Sequence, residues 1–262
     1  MRPLADFPLA ARRALRFVLA DIDDTVTEDG RLPSASLAAM ERLSAAGLHV
    51  VPVTGRPAGW CDHIARMWPV DAVVGENGAF YFAYDRTRRQ MLQSFAKTPA
   101  ERETDRQRLK RLRERILGAV PGAGIASDQD YRIADLAIDF CEDVAPLSKE
   151  DIGRIVAIFE DEGATAKVSS IHVNGWFGSY DKLSMTRRCL AERFGIDMEA
   201  ARAEIVFAGD SPNDQPMFAY FENAIGVANV RDFDLATPPN WITRQRSAAG
   251  FQELADAILE AR

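Results

Sequence analysis

Cysteine is scarce in this sequence. Cys61, Cys141 and Cys189 are its three cysteines, far apart and without any C-x-x-C spacing. That argues against a disulfide framework and a thiolate zinc site, and they read instead as small buried hydrophobes in a reducing compartment. Long apolar runs are missing too, so no segment is expected to span a bilayer. The stretch Met1–Arg16 contains arginines but is broken by Pro3, Asp6 and Pro8 and has no signal-peptide apolar region. It reads as a ragged lead-in to a cytoplasmic protein. A basic excess is absent: 32 Lys and Arg stand against 39 Asp and Glu, a net charge of -7. Nucleic-acid binding needs a basic footprint and is not expected, whereas anionic small molecules remain open because local charge decides them. No Walker A sequence, dinucleotide glycine fingerprint, H-E-x-x-H or G-x-S-x-G occurs, which removes the support for several familiar enzyme classes. Internal repeats and low-complexity tracts are lacking as well.

What is present is globular. Apolar residues make up 47% and charged residues 27% of 262, enough for a sizeable core in one large unit or two smaller ones. Phe17–Ala20 (FVLA) is a short, fully apolar run that stops at Asp21 and reads as a buried parallel strand. Residues 34–46 have helical spacing, with Ser34 expected as N-cap and Gly47 as the stop. His49–Val53 and Ala72–Val74 read as further buried strands. This alternation predicts an α/β, doubly wound, Rossmann-like parallel sheet. The pattern then changes. A hairpin is expected over 79–95, a charged helix over 99–117, a half-buried strand over 131–141, an amphipathic helix over 149–162 and a strand over 165–177. From Ser184 the first pattern resumes, with a helix over 185–194, the apolar strand Ile205–Ala208, a helix over 215–221, a short strand Ala224–Val227 and a closing helix over 250–260. The expected organisation is a core of residues 1–84 and 181–262 interrupted by an inserted α/β cap domain over 85–180, roughly the size of a small domain.

In an open parallel sheet, ligands bind beyond the carboxyl ends of the strands. After the first strand come Asp21, Asp23, Asp24 and Thr25 (DIDDT). After the second come Thr54, Gly55 and Arg56, and after IVFA come Gly209, Asp210, Ser211, Asn213 and Asp214 (GDSPND), while Lys182 stands where the chain re-enters the core. Clustered carboxylates need a compensating cation, and an all-oxygen set favours a hard ion such as Mg²⁺ shared with a phosphate. Thr54, Lys182 and backbone N–H groups suit the phosphate itself. The chemistry suggested is phosphoryl transfer to a carboxylate.

These residues resemble the haloacid dehalogenase superfamily, whose four motifs fall in this order: DIDDT at 21–25, Thr54 in VPVTGR, Lys182 in YDKL and GDSPND at 209–214. The residue after Lys182 is Leu183 where relatives often have Gly. The long gap after GENGA at 75–79 resembles the branch with a large α/β cap, which includes sucrose-phosphate and mannosyl-phosphoglycerate phosphatases. The resemblance implies a phosphatase acting on a small phosphorylated sugar or related ester, with a phosphomutase or a non-catalytic binding module on the same scaffold as alternatives. It implies Asp21 as nucleophile, Asp23 as general acid and base, and Mg²⁺ held by Asp21, Asp23 and Asp210, with Asp214 beside them orienting metal waters or Lys182. Thr54 and Lys182 would hold phosphate oxygens, with Gly55, Arg56 and Asn213 as further candidates. A monomer or weak homodimer is expected.

Bland readings compete with some of these. An EF-hand loop starting at Asp21 fails, because its sixth residue is Val26 and its twelfth Leu32. His172, Asn174 and Trp176 alternate, so a strand puts them on one face. That face either reads the substrate or packs the cap core. The arginines of the 99–117 helix are interleaved with acids and read as a solvated face. His49 and His63 sit in no motif and read as incidental.

Overall fold

A computed structural model describes residues 1–262. Its centre is a parallel sheet. Strand β1 (Phe17–Ala20) is flanked on one side by β2 (His49–Pro52) and on the other by the strand Ile205–Gly209, followed by Ala224–Gly226, Trp241–Ile242 and the two-residue edge Arg2–Pro3. Between β1 and β2 runs helix α1 (Ser34–Ala45), and α2 (Ala58–Met67) follows β2. Alternate residues of one strand serve opposite faces. Phe17 and Leu19 join a core with Val51, Phe207, Met185 and Leu190, whereas Val18 and Ala20 join Val50, Val206, Met40 and Leu254 on the other side. Two-sided burial is why these strands read as unbroken apolar runs.

Three local expectations differ from the structure. Ser34 is the first residue of α1 and Pro33 occupies the capping position, with no side-chain cap. Proline presets the entry angle, so the hydroxyl is not needed there. The expected strand over 165–177 is two antiparallel strands, Thr165–Val168 and His172–Trp176, with the chain reversing at 169–171. Of 131–141 only Leu136–Asp139 is strand.

Strand β3 (Val73–Gly75) touches β2 through a Val53–Val74 bridge and begins an antiparallel sheet with β4 (Phe80–Asp85) and β5 (Gln90–Phe95). A division at residue 84 would cut this hairpin at its turn. Leu92 and Ala96, beyond that division, pack on the same core cluster as Tyr81 and Ala83, so the hairpin belongs with the core and the helix α3 (Pro99–Ala119) is the first element beyond it. Thr98 and Glu101 form a reciprocal capping box at the start of α3. The cap has a four-stranded antiparallel sheet and its own apolar cluster, including Leu109, Ile116, Ile138, Phe159 and Val173. Arg106, Arg111, Arg113 and Arg115 are exposed, as the solvated-face reading expects.

A buried carboxylate ties core to cap. Glu76 and Asn77 both have left-handed backbone, at φ 42° and 53°. This turns the fully buried Glu76 side chain toward the cap, where it accepts from the backbone N–H of Ile133 (3.0 Å), Ala134 (2.6 Å) and Asp135 (3.2 Å) as well as from Ala58 in the core (3.0 Å). Glu76→Ala orphans these donors and is expected to cost about 1–3 kcal/mol. Chemical denaturation checks this, and an unchanged unfolding midpoint would contradict the latch.

Candidate active site

The loops that follow Ala20, Pro52, Gly209 and Gly226 meet at one edge of the sheet. Asp21 follows β1 directly, with its N–H bonded to Ala208 O at 2.9 Å, which sets the DIDDT loop beside the GDSPND loop. Asp21 Oδ1 lies 3.0 Å from Lys182 Nζ, and Lys182 Nζ donates to Asp214 Oδ1 at 2.7 Å. The other oxygen of Asp214 accepts from the N–H groups of Asp210 (3.0 Å) and Ser211 (3.3 Å). This fold-back needs a glycine at 209, because a Cβ there would sit 2.4 Å from Asp214 Oδ2. Asp210 is held by Asn229 Nδ2 at 3.0 Å and by Thr25 Oγ1 at 3.4 Å.

All four charged groups, Asp21, Lys182, Asp210 and Asp214, are buried. Burial pushes the Asp21 carboxyl up to about 8, against the pull of Lys182 and helped by the charges of Asp214 and Asp23. Burial, then Asp21 and Asp214, likewise push Asp210 well above the carboxylate range. Burial opposes the Lys182 charge, but Asp21 and Asp214 outweigh it and hold the ammonium above its usual range. One ammonium thus faces three carboxylates whose oxygens lie within 4.8 Å of one another. That set of hard donors, short of positive charge, fits a divalent ion such as Mg²⁺.

Thr54 and Gly55 lie alongside. Thr54 is fully buried, and its Oγ1 accepts from Arg56 N at 3.0 Å. Asn213 accepts from Ser211 Oγ at 2.8 Å and donates to Asn77 Oδ1 at 3.2 Å. Asn77 keeps a buried Nδ2 without a partner.

Arg56 departs from its expected role. Its guanidinium is not free for a phosphate. Nε grips both oxygens of Asp23 (2.9 and 3.1 Å), and the terminal nitrogens reach Asp128 (3.2 Å) and Glu142 (3.0 Å) of the cap. Three carboxylates within reach outcompete a distant anion for the fork. Glu142 also meets His172 Nε2 at 2.9 Å. The His172 contact, then Arg56, hold the Glu142 carboxyl down to about 2. Asn174 donates to Asp135 at 2.9 Å, beside Arg132, which pairs with Asp128 and Asp135 and donates to Gly55 O at 2.8 Å.

The structure therefore brings His172 and Asn174 to the wall of a chamber that Asp21, Asp23 and Asn213 also line. Trp176 is not there. Its indole donates to Tyr180 O at 3.2 Å and its ring stacks on Tyr180 at 5.8 Å, so it packs the cap instead of reading a ligand. The chamber has about 10 Å³ of free volume, room for about one water. Sequence reasoning missed Asn229, Glu142 and Arg132. Asn229 follows the strand Ala224–Gly226, so the strand-end rule applied once more would have found it. Glu142 and Arg132 carry no local signal.

Comparison with known proteins bears on the fold. The sequence profile of haloacid dehalogenase-like hydrolases matches residues 18–105. No curated protein matches the chain in sequence. Among solved structures, a Thermoplasma acidophilum protein superposes with a TM-score of 0.69 at 17% identity, over 95% of this chain and 99% of its own. The sucrose-phosphatase of Synechocystis, solved with sucrose and phosphate, gives 0.63 at 14% identity over 94% and 98%. A Bacteroides thetaiotaomicron phosphatase of the same superfamily gives 0.60 at 16% identity over 94% and 95%. The first third of the chain thus carries the sequence signature of haloacid dehalogenase-like hydrolases, and the whole chain carries their fold. No helix is long and apolar enough to cross a membrane.

Proposed function

We propose that this protein is a Mg²⁺-dependent phosphatase that hydrolyses a small phosphorylated sugar or related phosphate monoester through an aspartyl-phosphate. The observation that carries the reading is the buried set of Asp21, Asp210 and Asp214 around one lysine at the ends of parallel strands. Asp21 attacks phosphorus and the ester P–O bond breaks, with Asp23 giving its proton to the departing alkoxide. Asp23 then takes a proton from water, whose oxygen displaces the Asp21 carboxylate and releases inorganic phosphate. Lys182, Thr54 and loop N–H groups hold the phosphoryl oxygens, and Asp214 keeps the ammonium in place. Asp21, Asp210 and the Asp23 carbonyl, with Asp214 beside them, would hold Mg²⁺, which would supply charge neutralisation for the phosphoryl group.

Room for about one water does not admit an ester, so substrate entry requires the cap to swing away. That motion breaks the Arg56 contacts to Asp128 and Glu142, and closure excludes bulk water again. The test is phosphate release from a panel of phosphate esters with Mg²⁺. Release from sugar monophosphates is expected, and none across the panel overturns the reading. Isomerised ester without free phosphate would point to a mutase.

The ion and a proton compete for the same carboxylates. The Asp21 carboxyl is raised in the folded state, so its stabilising contribution is full below its unfolded value and lost as pH rises through about 8. Binding the ion releases that proton. Apparent Mg²⁺ affinity is expected to rise up to about tenfold per pH unit from pH 6 to 8. Calorimetric titration reads this directly, and a pH-independent affinity would contradict it.

A further inference from the structure

A second cavity, of about 550 Å³, opens on the other side of Arg56. Asp23, Arg56 and Thr27 form its polar end. Beyond them its walls are Ile22, Leu32 and Ile64, then Trp60, Trp68 and the cap residue Tyr131, with His63 at the side. Trp60 is 41% exposed and Tyr131 59% exposed. Both are nonetheless held. The Arg56 guanidinium lies 4.4 Å from the centre of the Trp60 ring, a cation–π contact. Tyr131 packs so closely on Gly59 that a Cβ there would come within 2.9 Å of Tyr131 Cβ. The aromatic walls therefore come from both domains and are complete only when the cap is closed.

We propose that this cleft takes the alcohol side of the phosphate ester, and that this alcohol carries a flat aromatic ring seated between Trp60, Trp68 and Tyr131. The proposal rests on the phosphatase reading above and deepens it. Asp23 lines both the chamber with Asp21 and this cleft. A group whose oxygen receives the Asp23 proton therefore lies next to the cleft, at the corner that Asp23 and Arg56 share. The lining past the polar end is mostly apolar and aromatic, with side-chain polar atoms only on His63, the Trp60 and Trp68 indoles and the Tyr131 hydroxyl, so it suits a ring face better than a polyol. Tryptophan and tyrosine side chains left this exposed while packed along one edge are common anchors of binding sites.

Two esters of similar alkoxide basicity, 2-phenylethyl phosphate and n-propyl phosphate, test this with Mg²⁺ present. The wild type is expected to favour the phenylethyl ester about tenfold or more in kcat/KM, chiefly through KM. In Trp60→Ala and Tyr131→Ala the ratio between the two esters is expected to fall toward one. The ratio is the readout because Trp60→Ala also disturbs Arg56, and Tyr131→Ala does not touch it. Inhibition by the matching phosphonates gives a second ratio that needs no turnover. Equal use of the two esters, an unchanged ratio in both variants, or hydrolysis of sugar phosphates without the phenylethyl ester overturns the cleft assignment and leaves the phosphatase reading standing. Hydrolysis of no ester at all brings down both.

Discussion

Asp21→Asn is expected to lower turnover by roughly 10⁴-fold or more while leaving the protein folded. The amide keeps the shape of the carboxylate but not its nucleophilic oxygen. Folding survives because Lys182 keeps its 2.7 Å bond to Asp214. Asp21 is one of three buried carboxylates that repel one another, and its own charge is disfavoured by burial. Removing it relieves that repulsion, so the metal-free variant is expected to melt at the wild-type temperature or above it. Single-turnover kinetics and a thermal melt separate the two effects. A variant that retains activity would remove Asp21 from the reaction. One that unfolds would show that the carboxylate is structural.

Lys182→Ala has the opposite profile and is expected to lose both stability and activity. The side chain is fully enclosed, with its ammonium between Asp21 and Asp214. Without it Asp21, Asp210 and Asp214 remain buried with no cation, a situation that costs about 3–5 kcal/mol. Lys182→Met restores the packed volume but not the charge. It should recover only the part of the loss that comes from the cavity. Added Mg²⁺ is expected to stabilise both variants more than wild type, because it supplies the missing positive charge. Denaturant titration with and without Mg²⁺ checks this. An unchanged midpoint in Lys182→Ala would mean the three carboxylates do not depend on this lysine.

Much of the architecture was legible locally. FVLA, HVVP and IVFA are parallel strands buried on both faces, and two-sided burial leaves an unbroken apolar run in sequence. The loops after those strands hold Asp21, Thr54 and Asp210, because a parallel sheet aligns its strand ends on one edge. The misreadings share a cause. SSIHVNGWF looked like one strand because the reversal at 169–171 uses Ser169 Oγ, which accepts from His172 N at 3.0 Å, where no glycine or proline marks the turn. Ser34 has the chemistry of a cap, but Pro33 before it occupies the capping position and presets the helix entry.

The sequence by itself determined the alternation of strands and helices, the interruption by a second unit and the presence of acidic loops at strand ends. Those properties arise from side-chain periodicity and chain punctuation within a few residues. Only the tertiary structure decided that Arg56 clamps Asp23 and reaches across to Glu142, that Trp176 turns inward to Tyr180, that Glu76 latches the cap backbone, and that Asn229 steadies Asp210. Each of these joins groups from separate loops or from opposite sides of the cap boundary, apart from the short-range Trp176 bond. Which charged group finds which partner depends on how crossovers and cap docking bring the loops together, and local spacing carries no record of that.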